Sequence, residues 1–425
     1  MLKKVLLNTA SQIVAKGFTA TSTLIVTVLI GRALGETGYG QFTKIFVFIG
    51  YFYTLVDFGL NSIYVRETDK QNEIRLFRVL FGLRVILSVL FVLTSIVFTL
   101  ILPYDPQAET GFSPLVKIGI VLASTTIFTQ AIFTTANAYF QRNLKYYFST
   151  LASVTSALIV LALSVTFFLQ GAGVLSYTLA YVLSGAGLAL VAIYLLKKVA
   201  KENIFPTFAK KESISLLRHA WPIGLSLIFN IVYFRVDVFI LTNFRSTQEV
   251  GIYGLAYQFF EASLAIPIFF ANSIYPVLTN SYKKDIKDFQ KNLKFWLVAL
   301  LITSLALSLF LFLASFIIPL IYQGKFQGST KALQILSLGI PFFFLSALLW
   351  HVFIIYNRQK VLIAIYLSGA IFNIIANLIF IPQKGYIAAA IITVIAEALI
   401  FFLMSAYLLF QNDTRISIRS KSTLK

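Results

Sequence analysis

The sequence predicts an all-α integral membrane protein, with twelve transmembrane helices in two parallel six-helix lobes around a central cavity. Three observations indicate this fold class. The chain is 58% hydrophobic and only 12% charged, whereas about a quarter of the residues in soluble domains are charged. Its apolar segments come in runs of about 20 residues, the length that crosses a bilayer. A pattern of glycine, tyrosine and charged residues recurs half a chain later.

Composition excludes several other classes. The 425 residues include no cysteine, so a disulfide framework and a thiolate metal site are excluded. His219 and His351 lie far apart without metal-binding spacing, so no metal or other cofactor is predicted. The net charge of +19 would suit nucleic acid, but the basic residues lie mostly in short segments between apolar runs, as in membrane proteins. The predicted partner is therefore the lipid bilayer, and nucleic acid is not expected to bind.

Twelve candidate spans follow from the apolar runs. The first residues, MLKKVLLNTASQIVAKGF, begin like a signal peptide. Polar residues interrupt the apolar part and no cleavage site follows, so an uncleaved first helix is predicted. The connections are too short for a soluble catalytic domain, and the longest, 197–220, separates an N-terminal lobe (1–205) from a C-terminal lobe (206–425). The spans are 10–31, 39–61, 79–102, 114–138, 147–169, 173–196, 221–242, 250–278, 294–318, 331–356, 360–381 and 385–410.

Orientation follows from the basic residues. With the N-terminus inside, the inner segments hold 25 of the 35 lysines and arginines, the outer loops five and the spans five. Such a bias predicts a multi-pass protein with both termini in the cytoplasm.

Residues 31–40, Gly-Arg-Ala-Leu-Gly-Glu-Thr-Gly-Tyr-Gly, contain four glycines. A phosphate-binding loop is one interpretation, but the Gly-Lys-Ser/Thr ending is missing and no strand precedes the segment. A tight outer turn between the first two helices is the favoured interpretation.

The same pattern recurs between predicted helices 7 and 8. Three positions recur at an offset of 213 and two at 214: Arg32, Glu36, Gly38, Tyr39 and Gly40 reappear as Arg245, Glu249, Gly251, Tyr253 and Gly254. Six helices separate the two copies, so both helix pairs run in the same sense. Parallel repeats of this kind are typical of transporters.

Three motifs carry a more specific resemblance: GRALGETGYGQF, FRVDVFIL and EVGIYGLAY. With twelve spans in two sixes, the whole chain resembles the polysaccharide exporters of the multidrug/oligosaccharidyl-lipid/polysaccharide superfamily, which have a MATE-like fold. Within it, the chain is most similar to the Wzx-type O-antigen flippases.

The resemblance implies a non-enzymatic function in the bacterial cytoplasmic (inner) membrane. It implies flipping of undecaprenyl-diphosphate-linked oligosaccharide from the inner to the outer leaflet, coupled to H⁺ or Na⁺ by alternating access. A polysaccharide polymerase is an implied candidate partner.

Charged residues inside the spans are the first candidates for the site, because each costs at least ~2.5–3.5 kcal/mol at a helix centre. Lys44, Arg84 and Lys117 lie near helix ends, where long side chains can snorkel to the headgroups. His351 also lies near an end, and a structural role is expected for it.

Deeper charges are predicted to line a cavity or form ion pairs. They are Arg235, Asp237, Glu261 and Glu397. On helix 7, Asp237 shares a polar stripe with Asn230 and Tyr233, whereas Arg235 lies about 200° from Asp237 around the helix. Separate partners are therefore expected for Arg235 and Asp237.

Polar stripes on other helices extend this pattern. Gln130 and Asn137 share one on helix 4, and Gln12 and Lys16 share one on helix 1. Lipid cannot satisfy such groups, so they face a cavity or other helices. Interhelical hydrogen bonds are the alternative explanation.

The charges divide between the lobes. The substrate-binding candidates, chosen for an anionic diphosphate and its glycan, are Lys16, Lys44, Arg84, Arg235, Gln130 and Asn137. The ion-coupling candidates are Asp237, Glu261, Glu397 and Asn230. Pro267 and Pro341 are predicted to kink helices 8 and 10, since proline removes a backbone hydrogen bond.

Other functions stay open. A multidrug or cation antiporter would have the same fold but an acidic cavity, and a lipid II flippase often has more than twelve helices. A membrane glycosyltransferase or polymerase would show a large outer loop or an acidic metal motif. A structural scaffold would not need charges inside the membrane.

Overall fold

A computed structural model describes residues 2–69, 71–200 and 202–422, and the side chains of residues 16–69, 71–200 and 202–410. Gln12 therefore lies outside the described side chains, and the extreme termini lie outside the described residues. Helices account for almost all of the described chain, with one short hairpin of two strands. Hydrocarbon offers backbone groups no partner, so a spanning segment must satisfy them internally as a helix does. The predicted all-α membrane class is confirmed.

The helices follow one another with short connections. In the first part of the chain they are α1 (Leu2–Asp57), α2 (Leu60–Glu67), α3 (Glu73–Ile101), the hairpin β1 (Tyr104–Asp105) and β2 (Thr110–Gly111), α4 (Pro114–Arg142), α5 (Tyr146–Leu169), α6 (Val174–Ala200) and α7 (Lys210–Phe244). They continue as α8 (Thr247–Ser263), α9 (Ala265–Lys284), α10 (Ile286–Ala314), a 3₁₀ turn (Ser315–Ile317), α11 (Ile318–Ile321), α12 (Gln327–Ser337), α13 (Ile340–Ile355) and α14 (Gln359–Ser422).

Packing divides the chain into two units, Met1–Gly251 and Ile252–Lys425. Helix α7 belongs to the first unit, where it packs against α1, α2 and α3. The lobes 1–205 and 206–425 stay a prediction about the repeat.

The number of spans is compatible with the predicted number. Among the described residues, nine helices are long and apolar enough to cross a membrane, and α12 with α13, bent by 41°, makes a tenth span. Two of the nine, Lys16–Glu67 and Gln359–Phe410, are 52 residues long, or about 78 Å, more than twice the thickness of a bilayer core. Each is interrupted by a glycine with positive φ, Gly35 or Gly385. If each of these is two crossings, the total reaches twelve.

Gly35 confirms the predicted turn and corrects its length. Its φ of 65° and ψ of −170° are a conformation that residues with a Cβ rarely adopt. The residues on both sides are helical, so the turn is one residue wide rather than spanning 31–40. The phosphate-loop interpretation is wrong, because helix surrounds the break and no strand precedes it.

Two predicted connections are largely helical. Helix α7 begins at Lys210 rather than near 221, and Leu216 and Ala220 of its first turns are buried. The predicted inner segment 62–78 contains α2, which packs the Tyr64 ring against Phe77 at 6.1 Å between centroids. A window of about 20 apolar residues misses α2 and the first residues of α7, because both stretches carry exposed charges.

The predicted proline kinks are confirmed as breaks. Helix α8 ends at Ser263, and Pro267 lies in the first turn of α9, whereas Pro341 lies at the start of α13. Proline is tolerated in a first turn, where its missing N–H has no helical partner to lose.

The hairpin between α3 and α4 was not predicted. Its two strands pair antiparallel, and Phe112 N donates to Pro103 O at 2.8 Å. Ser113 then caps α4, accepting a bond from Val116 N, with Pro114 at the first helical position. Its carbonyl groups accept hydrogen bonds from Lys44 of α1 and Thr247 of α8.

Candidate functional site

Lys44 lies on α1, nine residues after the Gly35 break, and its side chain is only 2% exposed. Its Nζ donates to Gly111 O at 2.7 Å and to Thr247 Oγ1 at 2.8 Å. The predicted snorkelling of Lys44 is wrong, because the ammonium finds protein acceptors on the hairpin and at the start of α8.

Thr247 connects the same three elements from the other side. Its Oγ1 donates to Glu109 O at 2.9 Å, and its backbone N donates to the same oxygen at 3.1 Å. The first residue of α8 is therefore joined both to the hairpin and, through Lys44, to α1. Sequence inspection missed Thr247 because an isolated threonine at a helix start is normally a cap.

Two glycines let α1 and α8 approach closely. A Cβ on Gly40 would lie 2.0 Å from Thr247 O, and a Cβ on Gly251 would lie 1.9 Å from Glu36 O. Gly40 thus faces the carbonyl oxygen one turn before Gly251, and Gly251 faces the carbonyl oxygen one turn before Gly40. We call this reciprocal contact of residues 36–40 with 247–251 the glycine interlock. Small residues of this kind let membrane helices touch backbone to backbone.

The interlock brings the two copies of the repeat into contact, and the contacting residues are offset differently from the matching ones. The contact pairs Gly40 with Gly251 and Glu36 with Thr247, an offset of 211 in both cases (251 − 40 and 247 − 36). The sequence pattern aligned Gly38 with Gly251 at 213. At the edge of the contact, Gln248 Nε2 donates to Glu36 Oε2, and Arg245 forms an ion pair with Glu249 at 2.7 Å.

Arg84 on α3 is completely buried and pairs with Asp57, the last residue of α1, at 2.9 Å. Snorkelling is wrong here too. Nε and Nη1 of the guanidinium have no hydrogen-bond partner among the described residues. Asp57 is 37% exposed, so water reaches the pair from one side only.

The cations of the first lobe are separated in space. Lys44 and Asp57, the partner of Arg84, are 13 residues apart on α1, which is about 20 Å along the helix. Lys16 is exposed at the other end of the chain's first span. Lys44 and Arg84 therefore do not meet at one anion site, and the binding roles of Lys16, Lys44 and Arg84 stay predictions.

Asp57→Asn is expected to lower the stability of the detergent-solubilised protein by about 2 kcal/mol. Removing one member of a fully buried ion pair costs ~3–5 kcal/mol, and water at the exposed side of Asp57 reduces the penalty. Thermal melting measures the effect, with the exposed Asp288→Asn as the control. Adding Arg84→Met to Asp57→Asn should restore part of the loss. Equal melting of Asp57→Asn and the control would contradict the expectation.

On α7, Asp237 is 2% exposed and Arg235 is half-buried. Both charges are electrostatically coupled to Tyr51 in α1, and the Tyr51 ring packs edge-on against Phe239 at 6.5 Å between centroids. Asp237 Oδ1 accepts a bond from Val238 N at 2.7 Å. Helical spacing puts Arg235 and Asp237 on different faces of α7, yet both are electrostatically coupled to Tyr51.

In the second unit, Glu397 of α14 is 3% exposed. Its carboxylate is electrostatically coupled to Tyr366. Tyr366 lies on the same helix, before the break at Gly385. Asn373 and Asn377 are buried nearby in sequence and bonded to each other at 2.9 Å. Glu261 on α8 is half-buried. The ion-coupling roles of these residues are proposals.

The uncharged candidates fall into three environments. Asn137 accepts a bond from Ser149 Oγ of α5 at 2.7 Å, the interhelical bond that was the alternative to a cavity role. Asn230 is exposed on α7. Gln130 lines a cavity together with Tyr53 and Tyr181. His351 has the expected structural role, with Nδ1 2.9 Å from Ala347 O and Nε2 3.3 Å from Asn272 Oδ1.

Comparison with known families agrees with this architecture. Residues 2–282 match the family described as polysaccharide biosynthesis protein, and residues 222–379 match the family described as MatE. The first match covers well over half of the chain.

Two relatives share about a quarter of their aligned residues with this chain. An uncharacterized membrane protein of Methanocaldococcus jannaschii is 27% identical over 227 residues, which are 49% of this chain and 43% of the relative. A Shigella dysenteriae protein, named provisionally as an O-antigen transporter, is 25% identical over 217 residues, 51% of this chain and 54% of the relative. The chain thus spans about half the length of these relatives.

Solved structures show the same fold. The lipid II flippase MurJ in an inward closed conformation aligns with a TM-score of 0.74 at 17% identity, covering 95% of this chain and 87% of MurJ. An inward-facing multidrug resistance MATE family transporter of the MOP superfamily also gives 0.74, at 13% identity, covering 93% and 96%. The chain therefore belongs to the polysaccharide biosynthesis protein family and has the fold of the MOP superfamily transporters.

Proposed function

We propose that the protein is a flippase that moves undecaprenyl-diphosphate-linked oligosaccharide from the inner to the outer leaflet by ion-coupled alternating access. The lipid tail stays in the bilayer while the diphosphate and its glycan cross through the protein. Family membership supports the polysaccharide substrate, and the name of the Shigella dysenteriae relative agrees with it. A location in a bacterial inner membrane and a polysaccharide polymerase partner are parts of the same proposal.

The observation that carries the proposal is the state of Arg84. A fully buried guanidinium with two N–H-bearing nitrogens unpaired among the described residues is costly unless another state of the protein uses it. Guanidinium binds diphosphate oxygens through paired, charge-assisted bonds. A diphosphate that reaches Arg84 from the exposed side of Asp57 would take over that pairing.

The buried carboxylates are the proposed ion-coupling groups. Asp237 is electrostatically coupled to the hydroxyl of Tyr51, and Glu397 to that of Tyr366. A carboxylate held in a poorly solvated place changes its charge state readily when its surroundings change. Binding of H⁺ or Na⁺ at these groups, with Glu261 and Asn230 as further candidates, would couple the gradient to the change of access.

Reconstitution tests the proposal directly. Purified protein in liposomes receives fluorescent undecaprenyl-diphosphate glycan, and leaflet exposure is followed with and without a proton or sodium gradient. Transfer is expected to be faster under one of the gradients. Neutralising Lys16, Arg84 and Arg235 together should abolish transfer in protein whose melting shows that it is folded. Absence of leaflet transfer under every gradient would overturn the flippase assignment, and transfer by the triple variant would overturn the anion site.

The same experiment separates the alternatives. A multidrug or cation antiporter would move a fluorescent organic cation in exchange for the ion and leave the lipid in place. A lipid II flippase would accept the lipid-linked peptidoglycan precursor in preference to the oligosaccharide.

A further inference from the structure

A cavity of about 130 Å³ lies inside the first unit, between α1, α4, α5 and α6. A buried site needs only ~10–15 Å³ to hold one water, so this volume holds several waters or one small polar ring. Its polar lining consists of Tyr53, Thr126, Thr129, Gln130, Ser156, Tyr181 and Ser184. We call it the hydroxyl cavity.

The lining is polar, neutral and ordered. Tyr53 Oη lies 2.6 Å from Thr126 Oγ1, and Ser156 Oγ lies 2.7 Å from Ser184 Oγ. Thr126 and Ser184 are each 5% exposed. Every lining residue is uncharged. Several polar groups converging inside an apolar helix bundle need a polar occupant or each other, because lipid cannot satisfy them.

Two of the lining groups have unused hydrogen-bonding capacity. Among the described residues, the Gln130 amide and the Tyr181 hydroxyl have no hydrogen-bond partner. The Tyr181 ring is fixed by Phe42 and Phe46, at 5.4 and 4.7 Å between centroids. A fixed hydroxyl and an amide with both donor and acceptor atoms thus converge on one space.

The closeness of α6 to α4 shapes this space. A Cβ on Gly185 would lie 2.7 Å from Thr129 Oγ1, and both residues line the cavity. The glycine brings the backbone of α6 against the α4 hydroxyl and narrows the space between the two helices.

We propose that the hydroxyl cavity is a subsite for one neutral sugar ring of the transported glycan. This inference rests on the proposed function. Each sugar hydroxyl both donates and accepts, which matches threonine, serine, tyrosine and amide groups. The C–H face of the ring packs on an aromatic face such as that of Tyr53 or Tyr181, which carries partial negative charge. A hard cation would favour carboxylate oxygens, and the lining residues include none.

The test compares binding of two fluorescent probes to the whole detergent-purified protein. One probe is undecaprenyl diphosphate carrying a single neutral hexose, and the other is the same lipid diphosphate without sugar. The wild type should bind the hexose probe more tightly. Gln130→Leu and Tyr181→Phe each remove one unused group without breaking an existing bond. Each should weaken hexose-probe binding about fivefold to tenfold, the loss of roughly one hydrogen bond, and leave the sugar-free probe unchanged.

Tyr177→Phe is the matched control. Tyr177 lies one turn before Tyr181 on α6, and its buried hydroxyl also has no partner among the described residues, but it does not line the cavity. Its removal should leave the ratio of the two affinities at the wild-type value. Melting curves verify that each variant is folded. If Gln130→Leu does not fold, Tyr181→Phe alone tests the subsite.

The outcomes are distinct. An affinity ratio near one in the wild type, or a ratio unchanged in both variants, would overturn the sugar subsite and leave the cavity as a water site. If the wild type bound neither probe, the proposed function itself would fail. A ratio that falls in the two cavity variants and not in Tyr177→Phe supports the subsite.

Discussion

Gly251→Ala is expected to reduce leaflet transfer at least tenfold, although the change adds a single methyl group. The new Cβ would lie 1.9 Å from Glu36 O and 2.9 Å from Gly40 N. Both are backbone atoms, so no side chain can move aside to relieve the overlap, and α1 and α8 must separate. Separation would break the interlock while leaving the rest of each helix intact. Gly40→Ala should have the same effect, since its Cβ would meet Thr247 O at 2.0 Å.

Gly50→Ala provides the control. Gly50 lies on α1, ten residues after Gly40, and a methyl group added there would meet no neighbouring atom within 4 Å. Alanine is the better helix former by about 1 kcal/mol, so this variant should melt at the same temperature as the wild type or higher and transfer at the normal rate. The two interlock variants combined should be no worse than either alone, because mutations in one contact are not additive. Normal transfer by Gly251→Ala would show that the interlock is not needed for transport.

Much of the fold follows from one physical constraint. Backbone groups cannot remain unpaired in hydrocarbon, so each long apolar run must be helical. The break at Gly35 and the breaks before Pro267 and Pro341 follow from local backbone chemistry, and each was predicted. Helix α2 was not predicted. It is short and amphipathic, and its charged residues lower the average hydropathy of the segment.

The site could be predicted less completely. Distance from a helix end suggested that Lys44 and Arg84 reach the headgroups, but each has a polar group from a distant part of the chain beside it. For Lys44 these are Gly111 O and Thr247 Oγ1, 67 and 203 residues away. Such acceptors depend on tertiary packing, which one sequence does not reveal.

The repeat illustrates the same limit. The glycines were identified from their spacing, and a turn was inferred. Their role in holding α1 against α8 depends on which helix faces are adjacent, and spacing within one sequence does not show this. The helical spacing of α4 placed Thr126 and Gln130 on one face, but Tyr53 and Tyr181 lie on other helices, so their meeting in the hydroxyl cavity depends on tertiary packing.

Covalent closure of the interlock is expected to stop transport completely and reversibly. The chain has no cysteine, so cysteines introduced as Glu36→Cys and Gln248→Cys are the sole targets for a short bis-methanethiosulfonate linker. These side chains already meet at the edge of the interlock, and the linker spans the space left by the shorter cysteines. If alternating access requires α1 and α8 to part, the linked protein can occupy only one of its states and should show no leaflet transfer.

Reduction of the linker should restore transfer to the rate of the unlinked double variant, which excludes damage by the substitutions themselves. Each single cysteine variant, treated in the same way, should keep its activity because a linker held at one end cannot bridge the helices. Linking is measured by the mobility of the protein after cleavage between the two cysteines. Full transfer by fully linked protein would mean that the interlock is a permanent structural contact. The outcome therefore decides whether the glycine repeat serves folding alone or also the change of access.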